Sequence, residues 1–190
     1  MSSDRPSTLA AEPLDEGLVE RCRQIHIIIS DVDGVLTLGR VSFNAEGVEV
    51  NGFHIRDGLG IKLWQKAGYE FGIITGRNSS VTAKRAADLA IPLLSMGHFD
   101  KKPELARMLN EKKIEPIACC YLGDDLPDLP LIERVGLGVA VADAASEVKA
   151  AAHYVTRLSG GCGAVREVIE MILKVQNKWA PLVEEIRGNA

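Results

Sequence analysis

The sequence predicts an α/β fold in which helices cover both faces of a doubly wound parallel sheet. Short runs of apolar, often β-branched residues recur along the chain, as in 25–29, and indicate buried strands. Between them lie longer segments whose apolar residues fall at helical spacing. The 190 residues, of which 46% are hydrophobic and 25% charged, suit a single globular domain spanning 1–190. Strands that alternate with helices favour parallel pairing through right-handed crossovers.

The bulk composition excludes several classes of function. A net charge of -4, a pI near 5.6 and the lack of a Lys/Arg-rich run argue against a nucleic-acid partner. No apolar run approaches the roughly 20 residues that span a bilayer, so we expect no membrane association. The polar segment 1–17 lacks a signal-peptide core, and the four cysteines show no C-x-x-C spacing. We therefore expect a cytoplasmic protein with reduced thiols.

The first elements run from a tail to the first buried strand. Residues 1–14 are polar and predict a loose tail. Segment 15–24 places its apolar residues on one face and predicts a short helix. The first strand follows, beginning at Ile25 and ending at Asp31.

An insertion at about 36–53 interrupts the simple strand–helix repeat. Two short alternating runs, 40–43 and 48–50, flank a turn that contains Asn44 and Gly47, a pattern typical of a β-hairpin. Because the hairpin directly follows the first strand, we expect it to act as a flap over whatever lies at that strand's end. The alternative is a surface hairpin without a role.

Beyond the hairpin, strands and helices alternate regularly. Gly68 closes the first of these helices, and Pro103 suits a first helical turn. Pro127 and Pro130 predict an irregular first turn in the helix that contains them. Helices are predicted over 57–67, 79–89, 100–111, 125–134, 144–151 and 164–178. Strands are predicted over 69–74, 91–95, 117–122, 138–141 and 153–155, and a weakly patterned tail over 179–190.

Two carboxylates stand at the end of the first strand. Asp31 and Asp33 are spaced i, i+2, so on an extended chain their side chains point the same way. At the carboxyl end of a parallel strand they would face the crevice where α/β proteins bind ligands. Two like charges held this close need a cation or a shared proton. The alternative is a polar turn without chemistry.

Further polar residues follow three later strands. These are Thr75, then Lys101 or Lys102, then Asp124 with Asp125. Since the carboxyl ends of parallel strands share one sheet edge, we expect them to converge with the first carboxylate pair. Carboxylate oxygens suit Mg²⁺, and a lysine with a hydroxyl would complete a phosphate cradle. One aspartate can attack phosphorus, and the second can protonate the leaving oxygen and later activate water.

These motifs resemble those of the haloacid dehalogenase (HAD) superfamily. Asp-Val-Asp-Gly-Val-Leu-Thr at 31–37 looks like its first motif, and 74–77, Lys101 and 123–128 look like the second, third and fourth. Together the four ordered motifs span roughly 25–174. The resemblance implies a HAD-like, Rossmann-type fold.

The resemblance also implies roles for individual residues. Asp31 would be the nucleophile and Asp33 the general acid/base. Thr75 would bind phosphate through its hydroxyl, and Lys101 would hold both Asp31 and the phosphate, with Lys102 as the competing choice.

By the same resemblance, Mg²⁺ would be the cofactor. Its ligands would be Asp31, the backbone carbonyl of Asp33, and Asp124. Asp125 or Asp128 would support the metal site without contacting the ion.

Within the superfamily the sequence is most similar to the 3-deoxy-D-manno-octulosonate 8-phosphate (KDO 8-phosphate) phosphatases. The similarity lies in 31–37, 56–58, 75–77, 154–157 and 160–167. Members of that group are small homotetramers with a hairpin instead of a large cap. The resemblance therefore implies a phosphorylated sugar acid as substrate and a homotetramer in which a neighbour covers each site.

The predicted substrate site includes two arginines besides the phosphate ligands. Thr75, Gly76 and Lys101 would contact the phosphate, and Arg77 and Arg56 would bind the substrate carboxylate. Either arginine has the alternative of a local salt bridge or cap.

Two departures from the group keep the substrate open. Leu38 stands where the group usually has Asp, and the hairpin exit at 50–53 lacks a frequent lysine. The same chemistry on a nonulosonate 9-phosphate is therefore the runner-up. Alternatives of another class are a receiver-like phospho-switch and a silent oligomerisation partner. The order of the motifs and the presence of Asp33 argue against the switch, and the intact motif set argues against the silent partner.

Overall fold

The computed structural model describes residues 14–188, and all structural statements below concern that part of the chain. The strands are β1 (Ile27–Ser30), β2 (Ser42–Phe43), β3 (Glu49–Val50), β4 (Glu70–Thr75), β5 (Leu93–Met96), β6 (Cys119–Gly123), β7 (Leu137–Ala140) and β8 (Tyr154–Val155). The helices are α1 (Glu16–Gln24), α2 (Ile55–Lys66), α3 (Ser80–Asp88), α4 (Lys102–Lys112), α5 (Leu129–Ile132), α6 (Ser146–Ala151), α7 (Ala164–Val175) and α8 (Trp179–Ile186).

Six strands form one parallel sheet in the order β5-β4-β1-β6-β7-β8. The chain winds outward from β1 first in one direction and then in the other, so right-handed crossovers place helices on both faces. Helix α7 contacts both α1 and α2, while α5 contacts both α4 and α6 in a second contiguous row. The predicted doubly wound α/β fold is confirmed.

The centre of the sheet is buried on both faces. All of β1 is inaccessible to solvent, which explains why its sequence is a continuous apolar run rather than an alternating one. Burial of each isoleucine side chain of this strand contributes about 1.5–3 kcal/mol to the free energy of unfolding. Trp64, Tyr121 and Phe71 are the largest fully buried side chains around it. A rigid β1 gives the residues that follow it a fixed position.

A buried carboxylate joins the helices of one face. Asp57, in the first turn of α2, accepts a hydrogen bond of 2.7 Å from the backbone N–H of Arg166 at the start of α7. Burial raises the pKa of the Asp57 carboxyl above its ordinary value, while the amides of Arg166 and Gly163 act in the opposite direction. The negative charge lies at the positive end of the α7 dipole, which favours it.

The insertion after β1 forms the expected hairpin, but its strands are short. Only two residue pairs, Ser42 with Val50 and Phe43 with Glu49, form the antiparallel ladder. The Asn44 side chain closes the turn by accepting hydrogen bonds from the backbone N–H groups of Glu46 and Val48. The hairpin lies outside the six-stranded sheet.

The C-terminal segment differs from the prediction. The weakly patterned tail expected over 179–190 contains helix α8, and α7 ends at Val175 rather than at 178. Asn177, with φ of 57°, adopts a left-handed conformation that ends α7 and redirects the chain. The tail predicted over 1–14 lies outside the described residues except for Leu14. No helix within 14–188 has the length and apolar character needed to cross a bilayer.

Candidate active site

Asp31 is fixed at the point where β1 leaves the sheet. Its backbone N–H still donates to the Leu122 carbonyl of β6 at 3.0 Å, and the residue is 8% exposed. One carboxylate oxygen accepts a 2.6 Å hydrogen bond from the N–H of Val32, and the other lies 2.7 Å from the ammonium of Lys101. The carboxylate is therefore oriented from both sides.

The structure places Lys101 and Lys102 in different environments. Lys101 is 3% exposed, and its Nζ lies 2.7 Å from both Asp31 Oδ2 and Asp128 Oδ1. Lys102 is exposed on the first turn of α4. Desolvation lowers the pKa of Lys101, but the two carboxylates outweigh it and raise the pKa above its ordinary value. Lys101 is thus a permanent cation inside the site.

Asp128 is saturated with hydrogen-bond donors. Its Oδ1 accepts from Lys101 and from the Tyr121 hydroxyl at 2.7 Å each. Its Oδ2 accepts from the backbone N–H groups of Asp124 at 2.9 Å and Asp125 at 3.3 Å. Four donors occupy the lone pairs that a metal would need, although its carboxylate lies within 4.8 Å of those of Asp31 and Asp124. Asp128 therefore positions Lys101 and the loop.

Asp125 is oriented away from this cluster. Its side chain accepts a 2.9 Å hydrogen bond from the N–H of Leu126 and caps the 3₁₀ turn Leu126–Asp128. In the structure, Asp128 is the residue that contacts Lys101. Asp125 makes a local capping contact instead. The sequence alone left these two residues as alternatives.

Asp124 has a buried oxygen that no described group satisfies. This Oδ1 has no hydrogen-bond partner, and the carboxyl lies close to Asp31. Burial first, and then the charges of Asp31 and Asp128, raise the pKa of Asp124 to about 7. Burial likewise raises the pKa of Asp31 to about 6, with Asp128 adding to it and Lys101 opposing it. A hard divalent cation would satisfy this set of oxygens, so the residues present fit Mg²⁺.

Two glycines let the loops of the site approach each other. Gly34 has a φ of 86°, and a Cβ at this position would lie 2.0 Å from Asp124 Oδ2. A Cβ on Gly160 would lie 1.6 Å from the carbonyl oxygen of Gly34. The N–H of Gly161 donates to the carbonyl of Val35 at 2.9 Å. The glycine loop 159–163 therefore holds the loop that follows Asp31.

Thr75 ends β4, the neighbour of β1, and is buried with its hydroxyl accepting a 3.3 Å hydrogen bond from the N–H of Arg77. Gly76 is exposed next to it. The carboxyl ends of β1, β4 and β6 are adjacent, so the structure brings Thr75 to the same sheet edge as Asp31 and Asp124.

Arg77 connects Asp33 to the hairpin. Its Nη1 lies 3.0 Å from Asp33 Oδ1, and its Nη2 lies 3.1 Å from Glu49 Oε1 on β3. The sequence did not single out Glu49. A usable signal was present, because Glu49 is the acidic residue between two valines on a short strand.

Among the described residues, Arg56 forms no hydrogen bond or ion pair with this cluster. It is exposed on α2 and lines a groove with Arg157, Cys162 and Arg166, next to β8 and α7. Its contact with a substrate carboxylate stays a prediction.

We expect the affinity for Mg²⁺ to fall as the pH is lowered from about 8 to about 5.5. Both carboxyls have raised pKa values, about 6 for Asp31 and about 7 for Asp124, so protons compete for the same oxygens. Titration calorimetry in buffers of different ionisation enthalpy measures the affinity and counts the protons released. In the control Asp124→Asn, both binding and proton release should decrease. A pH-independent affinity would contradict the assignment.

Comparison with known proteins supports the fold and shows the family of the chain. The sequence profile of the haloacid dehalogenase-like hydrolase family matches residues 94–169. The doubly wound parallel sheet is the fold of this class of hydrolase.

Proteins that are similar in sequence and structure indicate which family of these hydrolases the chain belongs to. KDO 8-phosphate phosphatase KdsC of Escherichia coli strain K12 is 39% identical over 178 residues, 94% of this chain and 93% of that protein. The Moraxella catarrhalis enzyme, solved with magnesium, phosphate and KDO, matches with a TM-score of 0.87 and 37% identity over 89% of this chain and 97% of that one. The cobalt-bound Haemophilus influenzae phosphatase matches with a TM-score of 0.80 and 39% identity over 83% and 92%. The chain belongs to the KDO 8-phosphate phosphatase family of haloacid dehalogenase-like hydrolases.

Proposed function

We propose that this chain is a Mg²⁺-dependent phosphatase that hydrolyses KDO 8-phosphate to KDO and inorganic phosphate in the synthesis of a lipopolysaccharide sugar. The observation that carries the proposal is the buried Asp31 carboxylate, held 2.7 Å from Lys101 beside the unpartnered oxygen of Asp124. The relatives support the substrate, because the Moraxella protein was solved with KDO, phosphate and magnesium.

The proposed reaction has two steps at phosphorus. In the first, a carboxylate oxygen of Asp31 attacks phosphorus and the bond to the sugar oxygen breaks, while Asp33 donates a proton to that oxygen. In the second, Asp33 removes a proton from water, and the resulting nucleophile attacks phosphorus. Asp31 leaves as a carboxylate, and inorganic phosphate is released.

The remaining residues position the phosphoryl group. Lys101 holds Asp31 and supplies positive charge, and Thr75 and Gly76 offer a hydroxyl and a backbone at the adjacent strand end. Asp31, Asp124 and the backbone carbonyl of Asp33 would hold Mg²⁺, which would neutralise charge on the transferring group.

We further propose a homotetramer in the cytoplasm. Apolar side chains on the hairpin are more than half exposed: Val41 at 54%, Phe43 at 63%, Val48 at 56% and Val50 at 52%. A second copy of the chain would cover this patch and the open edges of a two-stranded ladder. The four free cysteines suit a reducing compartment. Sedimentation analysis at several concentrations tests the assembly, and a monomer throughout would contradict it.

The test of the proposed activity is phosphate release, with Mg²⁺, from KDO 8-phosphate, nonulosonate 9-phosphates and hexose phosphates. We expect strong preference for KDO 8-phosphate and loss of activity on exhaustive chelation. Preference for a 9-phosphate would keep the chemistry but transfer it to the runner-up substrate, with Leu38, which is exposed, as the first residue to examine. No release from any compound would overturn the proposal.

A further inference from the structure

Within residues 14–188, one ion pair supplies the side-chain hydrogen bond between the hairpin and the rest of the molecule. Over the same described residues, the side-chain hydrogen bonds of hairpin segment 41–52 are internal except for the one that Arg77 donates to Glu49. Alternation along β3 explains the direction of this contact, since Val48 and Val50 are 56% and 52% exposed while the Glu49 side chain is 15% exposed.

Arg77 divides its guanidinium between two carboxylates. One nitrogen contacts Asp33 at 3.0 Å, and the other contacts Glu49 at 3.1 Å. The N–H donors of an arginine lie in the guanidinium plane, so the group can bind one carboxylate with two nitrogens or two carboxylates with different nitrogens, and its geometry is rigid. One of its contacts can therefore be exchanged while the other continues to fix its position.

We propose that Glu49 is a positioning residue for substrate recognition, anchoring Arg77 at the hairpin so that its other nitrogen is presented to the carboxylate of a sugar-acid substrate. This inference rests on the proposed function. In the described structure this second nitrogen, Nη1, contacts Asp33. When substrate binds, its carboxylate replaces Asp33 as the partner of this nitrogen, and Asp33 becomes available for proton transfer. Glu49 thereby selects substrates that carry a carboxylate in addition to phosphate.

A second glutamate on the same hairpin provides a matched control. Glu46 lies in the exposed turn, where its carboxylate accepts a 3.0 Å hydrogen bond from the Asn44 side chain. Glu46→Gln and Glu49→Gln remove the same charge from the same element, but only the second removes a partner of Arg77.

The experiment compares KDO 8-phosphate with p-nitrophenyl phosphate, which has no carboxylate. For Glu49→Gln we expect KM for KDO 8-phosphate to rise about five- to tenfold with kcat within about twofold. Both constants for p-nitrophenyl phosphate should stay at the wild-type values. Glu46→Gln should match the wild type on both substrates, and Glu49→Asp should recover part of the loss.

The double variant Glu49→Gln/Arg77→Gln tests whether Glu49 acts through Arg77. We expect it to equal Arg77→Gln alone, because the two residues then belong to one interaction. Additive losses, an unchanged KM in Glu49→Gln, or equal losses on both substrates would overturn the proposal, the last by indicating a general effect on the flap. Failure of the wild type to hydrolyse KDO 8-phosphate would instead count against the proposed function.

Discussion

Replacing Asp31 with Asn is expected to lower phosphate release by about 10³-fold or more. The amide has nearly the same shape as the carboxyl, but it cannot form the acyl phosphate. The fold should persist, because the amide oxygen can still accept the hydrogen bond from the N–H of Val32 and Lys101 keeps its contact with Asp128. The desolvation that raises the pKa of Asp31 to about 6 also makes a neutral group acceptable here.

Phosphate release measures the expected loss of activity, and urea unfolding measures whether the fold persists. Asp125→Asn is the matched control, since its side chain is exposed and contacts the N–H of Leu126 rather than the cluster. We expect that control to keep most of the activity. Substantial turnover by Asp31→Asn would remove Asp31 as the nucleophile, and an unfolded variant would show that the carboxylate has a structural role.

The convergence at the sheet edge was predictable because it follows from strand order alone. Thr75 is the last residue of β4, Asp31 and Asp124 directly follow β1 and β6, and these three parallel strands are neighbours. The pattern of apolar runs fixes where such strands end to within a residue or two. Parallel pairing then fixes which ends are close, without any knowledge of side-chain conformation.

Contacts that depend on how elements dock could not be predicted in this way. The ion pair between Arg77 and Glu49 joins residues 28 positions apart, and it requires the hairpin to turn one face toward the cleft. Nothing local in the sequence sets that angle. The choice between Asp125 and Asp128 likewise depends on the Tyr121 hydroxyl and two backbone amides that converge on Asp128.

Helix α8 was missed for a related reason. It is short, and isolated helices of this length are marginal in water. Its stability comes from tertiary contacts: Leu182 is buried, and the Trp179 ring lies beneath the cations of Arg166 and Lys174, at 4.8 and 5.7 Å from the ring centre. A sequence pattern read along eight residues does not show partners on another helix.

Replacing Lys101 with Met is expected to cost both activity and stability. The side chain compensates two buried carboxylates, Asp31 and Asp128, at 2.7 Å each. Removing one partner of a buried ion pair leaves uncompensated charge, which costs about 3–5 kcal/mol of unfolding free energy. Lys102→Met is the matched control, with an expected change within about 0.5 kcal/mol, because Lys102 is exposed.

The loss of unfolding free energy in Lys101→Met should become smaller as the pH falls. Without Lys101 the Asp31 carboxyl loses the cation that opposes its raised pKa of about 6, so this pKa rises further and protonation neutralises the group as the pH falls. Urea unfolding in the presence of chelator should therefore show a smaller deficit at about pH 5.5 than at about pH 8. A pH-independent deficit would indicate lost packing rather than unpaired charge.

A double variant separates the structural role of Lys101 from its catalytic one. Adding Asp31→Asn to Lys101→Met removes one of the two uncompensated charges, so it should recover part of the lost stability. It should recover no activity, because neither the nucleophile nor the cation beside it is then present. If stability did not recover, the charge of Asp31 would not be what Lys101 compensates, and the 2.7 Å contact between them would be incidental to folding.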